Sequence, residues 1–135
     1  MRKRVSLILG ALLAVNGLLM LLVPAVWYAR TPGVVDTGPL NLHFVRDIGC
    51  AYLVAGAALV WVGLDSHAWG AGAVGAAFLA LHAGVHLWDT VSGRESWSQL
   101  LIDLLPVFGP AILAMWIIWP SLLRKAEGDC SDFHR

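Results

Sequence analysis

The sequence predicts an all-α fold, a bundle of four transmembrane helices in up-down-up-down order with both termini in the cytoplasm. Three observations carry this. Hydrophobic residues fill 59% of the 135 positions and charged residues only 13%, about half the charged share of an ordinary soluble domain. Four apolar runs are separated by short polar links, and each has the roughly 20 residues that cross a hydrocarbon core of about 30 Å. Basic residues gather at the chain ends: Arg2, Lys3, Arg4, Arg124, Lys125 and Arg135 on one side, against Arg30, Arg46 and Arg94 on the other. The positive-inside rule then places both ends in the cytoplasm, as an even number of spans requires.

The same composition excludes other classes. Nine basic residues balance nine acidic ones, so the chain is no basic nucleic-acid binder. Two Cys do not make a disulfide scaffold, and so apolar a chain is not a disordered tail. One domain covers residues 1–135, with no internal repeat.

The first span is expected over about residues 5–28. Arg2-Lys3-Arg4 before an apolar run also begins a signal peptide, but this run exceeds the 7–15 residues of an h-region, and bulky Trp27-Tyr28 stands where small residues precede cleavage. Trp27, Tyr28, Trp88, Trp97 and Trp119 serve as interfacial anchors. Turn signals at Thr31-Pro32-Gly33 and Thr37-Gly38-Pro39 lead to Asn41, a cap for the second span at 44–64. Asp65-Ser66-His67 makes a short hairpin into the third span at 68–88. Ser96-Trp97-Ser98-Gln99 has capping-box spacing before the fourth at 100–119, where Pro106 and Pro110 each remove an amide donor. Residues 120–135 form a polar tail.

Two motifs resemble known chemistry and lack its context. Gly70-Ala71-Gly72-Ala73-Val74-Gly75 matches the G-x-G-x-x-G dinucleotide fingerprint, but no strand precedes it. Small residues in a membrane helix instead let backbones approach. His82-Ala83-Gly84-Val85-His86 has the two-His spacing of a zinc-protease helix, with Ala83 where the general-base Glu belongs. Cys50 falls in the second span and Cys130 in the tail, so the two do not pair.

The candidate site comes from ionisable residues near the outer boundary. His43, Asp47 and Cys50 share one face of the second helix at i, i+4, i+7, and His82, His86 and Asp89 share one of the third. Asp103 of the fourth reaches the same layer, roughly 9 Å inward, as does His82. An Asp at a span centre costs about 2.5–3.5 kcal/mol, and such residues usually face the interior and serve a function. The expectation is two facing stripes in which His43, Asp47, His82, His86, Asp89 and Asp103 ligate a metal ion. Imidazole and carboxylate suit Zn, Cu or Fe. Alternatively His43, His82 and His86 supply axial ligands to a haem, or the layer serves a quinone or a proton path. Arg46 and Cys50 are read as structural polar residues. The competing reading gives the polar layer only a packing role, in an accessory subunit of a larger membrane complex or a homo-oligomer. A third is a small transporter, although the first helix holds no acid. No nucleophile–base–oxyanion set is present, which argues against a hydrolase.

The stretches Thr37-Gly38-Pro39-Leu40-Asn41-Leu42-His43-Phe44-Val45-Arg46-Asp47-Ile48-Gly49 and Leu81-His82-Ala83-Gly84-Val85-His86-Leu87-Trp88-Asp89 resemble small bacterial four-span membrane proteins. The layout is similar to the DoxX-like group of short inner-membrane proteins. The resemblance implies a bacterial cytoplasmic membrane and no particular activity.

Overall fold

The computed structural model describes the backbone of residues 1–132 and the side chains of residues 1–120. Six α-helices form, and no strand occurs among the described residues. They are α1 (Arg2–Leu22), α2 (Pro24–Arg30), α3 (Leu42–Leu64), α4 (Trp69–Val91), α5 (Trp97–Asp103) and α6 (Gly109–Asp132). Four stretches are long and apolar enough to cross a membrane: Arg2–Leu22, Leu42–Leu64, Ser66–Val91 and Trp97–Pro120. In each, a third or less of the most apolar window is buried inside the bundle. The rest points outward, including Leu12, Val74, Leu81, Leu101 and Leu105. Water would not tolerate an apolar surface this continuous, whereas lipid does. This is a membrane protein.

The first span differs from its expected extent. It breaks at Val23 (φ −134°, ψ 53°), because Pro24 has no N–H and its ring disfavours helical geometry in the residue before it. α2 then starts with Pro24 in its first turn, the position where the missing donor costs nothing. The Trp27 indole N–H donates to Asn16 Oδ1 at 2.9 Å, tying α2 back onto the middle of α1. The Tyr28 hydroxyl donates into the following loop at the Val35 and Gly38 carbonyls.

α1 and α3 make the tightest contact in the bundle. Gly10 and Gly17 are seven residues apart on α1, as are Gly49, Gly56 and Gly63 on α3, so antiparallel helices bring them face to face. A Cβ on Gly10 would lie 2.6 Å from the Gly56 carbonyl oxygen, and one on Gly17 would lie 2.6 Å from that of Gly49. Backbone thus meets backbone, the geometry by which membrane helices gain dispersion contacts without a hydrophobic drive. Ser6, buried one turn away, donates its hydroxyl to the Leu59 carbonyl at 2.6 Å. The fingerprint-like run on α4 packs similarly: Gly72 faces Val62 and Ile118, and Gly75 faces the Ala55 carbonyl, while Gly70 is open.

Helix ends follow local chemistry. The Asn41 side chain accepts from the amides of His43 and Phe44, both at 3.1 Å. Replacing it with alanine should cost about 1 kcal/mol, measurable as reduced resistance to SDS unfolding. Asp65 Oδ1 accepts from His67 N at 2.9 Å and closes the short turn into α4. Ser96 caps α5 through Gln99 N at 3.2 Å, but the reciprocal half of the capping box is absent because the Gln99 side chain is engaged elsewhere. The fourth span is helical throughout but not uniform in pitch. Leu104–Phe108 is a π-helical turn, with Gly109 N–H donating to Leu104 O. Pro106 lies inside it, where it cannot supply the regular amide donor. Beyond Pro120 the helix continues to Asp132, so the segment expected as a polar tail is helical as far as that residue. The side chain of Cys130 lies outside the described residues; Cys50 is free and exposed.

The core comprises Leu9, Leu13, Met20, Tyr52, Leu59, Ala76, Leu79, Ala114 and Ile118, drawn from all four spans. The start of α1 lies against the first half of α6 at one end of the bundle, where the Arg2 guanidinium sits 4.9 Å above the Trp116 ring. The polar cluster of α4 and α5 lies at the other.

Candidate metal centre

The second-helix stripe does not face the bundle. α3 buries Val45, Gly49, Tyr52, Gly56, Leu59 and Gly63, which turns His43, Arg46, Asp47 and Cys50 outward. His43 Nε2 lies 3.3 Å from Asp47 Oδ2, with side chains 89% and 61% exposed. That is a solvated i, i+4 pair of the kind worth little, and two facing stripes are therefore not present. The glycine face that packs on α1 fixes the rotation of α3, and the polar stripe takes the side that remains.

The α4 stripe does point inward at its edge. His82 packs among rings: edge-on to Tyr52 at 5.6 Å, stacked on Phe78 at 6.0 Å, and edge-on to His86 at 4.9 Å. His86, one turn on, leaves this stack and meets the fourth span. Its Nδ1 lies 2.8 Å from Asp103 Oδ2, so Asp103 pairs with His86 rather than with His82, its expected neighbour in depth. Asp103 is buried. An unpaired carboxylate there would be costly, and both its oxygens are occupied, Oδ1 by Gln99 Nε2–H at 3.0 Å. Thr90, also buried, donates its hydroxyl to the His86 carbonyl at 3.0 Å.

Asp89 has a different role from the expected ligand. Its carboxylate accepts from Arg94 Nη1 at 3.0 Å, and its carbonyl accepts from the amides of Arg94 and Glu95 at 2.8 and 3.1 Å. Gly93 takes φ +74° in this turn, a left-handed conformation that a residue with a Cβ adopts at a cost. The turn folds the chain back over the end of α4 and delivers Glu95 to the polar cluster. Glu95 Oε2 comes within 4.0 Å of His86 Nδ1. That oxygen is buried and has no hydrogen-bond partner among the described residues.

One imidazole nitrogen and two carboxylate oxygens, from His86, Glu95 and Asp103, thus lie within 4.8 Å of one another. Donors about 2.1 Å from a tetrahedral Zn2+ are about 3.4 Å apart, so these three atoms lie within about 1.5 Å of the spacing a bound ion needs. The sequence marks Gln99 only as a capping-box residue and does not mark Glu95 as a site residue. Glu95 sits in a turn, where helical periodicity carries no information. Gln99 precedes Asp103 by one helical turn, a spacing that could have marked it.

Compared with known proteins, the chain matches no family model, no curated protein and no solved structure. Its function therefore rests on the geometry of this site.

Proposed function

We propose that this membrane protein holds a divalent transition-metal ion at His86, Glu95 and Asp103. The buried, unpartnered Glu95 Oε2 beside an imidazole and a second carboxylate carries the reading. Buried polar atoms are nearly always satisfied, and a cation shared with His86 and Asp103 would satisfy this one. Nitrogen and oxygen donors without thiolate favour Zn2+ or Fe2+ over Cu+. Three protein ligands leave a fourth position for water or substrate, the arrangement of catalytic rather than structural zinc sites. The haem alternative has less support, because His82 and His86 share one helix and His43 faces outward. With the basic ends in the cytoplasm of a bacterial cell, the site opens on the periplasmic side of the inner membrane.

The full-length, untagged chain purified in detergent should carry about one metal per chain by elemental analysis after equilibration with Zn2+. Glu95→Gln keeps the shape and removes the charge. It should weaken Zn2+ binding by about 100-fold or more, since even outer-shell changes cost 10–100-fold, while leaving helicity intact. A wild-type protein that retains no Zn2+ would overturn the proposal.

One observation favours a second reading, in which the cluster only locks α4 to α5. Both Asp103 oxygens are already satisfied by His86 and Gln99. On that reading Glu95→Gln leaves stability unchanged or raised, and there is no metal to lose.

A further inference from the structure

We propose that the end of the bundle opposite the metal centre binds the headgroup of an anionic phospholipid. A cleft of about 290 Å3 opens there between α1, α3 and α6. Arg2 and Lys3 line its rim, Ser66 stands at its mouth, and Gly63, Ile117 and Pro120 form its wall. No acidic residue lines it among the described residues; Asp65, between Leu64 and Ser66, turns its carboxylate to the His67 amide.

Arg2 is held rather than free, because its guanidinium lies over the Trp116 ring at 4.9 Å. A cation–π contact leaves the N–H groups at the edge of the plane available to a phosphate oxygen. Lys3 adds a mobile ammonium beside it, and both side chains are exposed. Neither makes an ion pair among the described residues. Gly63 packs against Leu7, where a Cβ would come within 2.7 Å of its side chain, so the wall of the cleft is a close helix contact.

The surroundings select a lipid over a free anion. Leu64, which lines the cleft, is more than half exposed, as are Ile8 and Trp61, each within a turn of lining residues on α1 and α3, and acyl chains can lie on such an apolar surface. The volume suits a headgroup and not a whole lipid. Basic pockets between transmembrane helices are the usual receivers of such headgroups. This inference does not depend on the metal centre.

Native mass spectrometry of the full chain, released from detergent containing phosphatidylglycerol or phosphatidylcholine, tests it. One phosphatidylglycerol should be retained per chain, about tenfold or more above phosphatidylcholine. A basic residue near an anionic surface contributes about fivefold, so Arg2→Gln with Lys3→Gln should reduce retention about 25-fold. Lys3→Gln alone should reduce it about fivefold, and Lys3→Arg should restore it. Arg46→Gln, at the other end, should change nothing. Helicity by circular dichroism guards against misfolding, and the single variant decides if the double one fails to fold. Equal retention of the two lipids, or an unaffected Lys3→Gln, would overturn the proposal. So would displacement of the lipid by equimolar inorganic phosphate, which would make the site one for free anions.

Discussion

Gly56→Val should lower the stability of the bundle in detergent by about 3 kcal/mol, a large share of a total of about 5–15 kcal/mol. A Cβ at Gly56 would lie 2.6 Å from both Ala14 N and the Gly10 carbonyl oxygen. Backbone cannot rotate away as a side chain can, so α1 and α3 must separate along their length. That separation also stretches the hydrogen bond from Ser6 to Leu59, one turn away on each helix. SDS titration followed by circular dichroism measures the loss. Gly84→Ala is the control, because a Cβ there meets nothing within 4 Å, and it should match wild type or gain up to about 1 kcal/mol from helix propensity. If both variants unfold at the same SDS fraction, the glycine contact is not what holds α1 to α3.

The second large effect is expected at Asp103. Asp103→Ala strips the acceptor from His86 Nδ1 and from Gln99 Nε2 at once. It leaves two buried or half-buried donors and a small void, together about 2–4 kcal/mol. It should also remove metal binding altogether. Asp103→Asn separates the two consequences. The amide oxygen can still accept from Gln99, and its N–H2 can donate to the other tautomer of His86. Stability should therefore largely return while Zn2+ affinity stays at least about 100-fold down. Isothermal titration with Zn2+, alongside SDS unfolding of the same preparations, reads both. An Asn variant that binds Zn2+ like wild type would remove Asp103 from the ligand set.

The spans were legible because about 20 apolar residues in a row have few physical explanations, and Asn41 and Ser96 announced their helices by side-chain chemistry alone. The rotation of α3 was harder to read. His43, Asp47 and Cys50 do share a face, as their spacing requires, but period does not say which way a face points. In water the polar side of a helix faces out and the apolar side in. In lipid that contrast vanishes, and close approach decides instead. The sequence held that information in Gly49, Gly56 and Gly63, seven apart, opposite Gly10 and Gly17. The break at Val23 likewise followed from Pro24, which lay inside an uninterrupted apolar run. On α4 the inward placement of His82 and His86 was readable from Gly75 and Phe78 on the same face. The His86–Glu95–Asp103 cluster was readable only in part: His86 and Asp103 lie on helices, whereas Glu95 arrives through a turn whose shape depends on Gly93 and on the pairing of Arg94 with Asp89.

The seam of facing glycines between α1 and α3 gives the molecule a division of labour. That pair is a hairpin of neighbouring spans, clamped without help from any ionisable group, and it forms a chassis. The imidazole and both carboxylates are carried by α4, α5 and the link between them. Inheritance can therefore rework the chemistry of the second half, one polar side chain at a time, while the first half keeps the assembly standing.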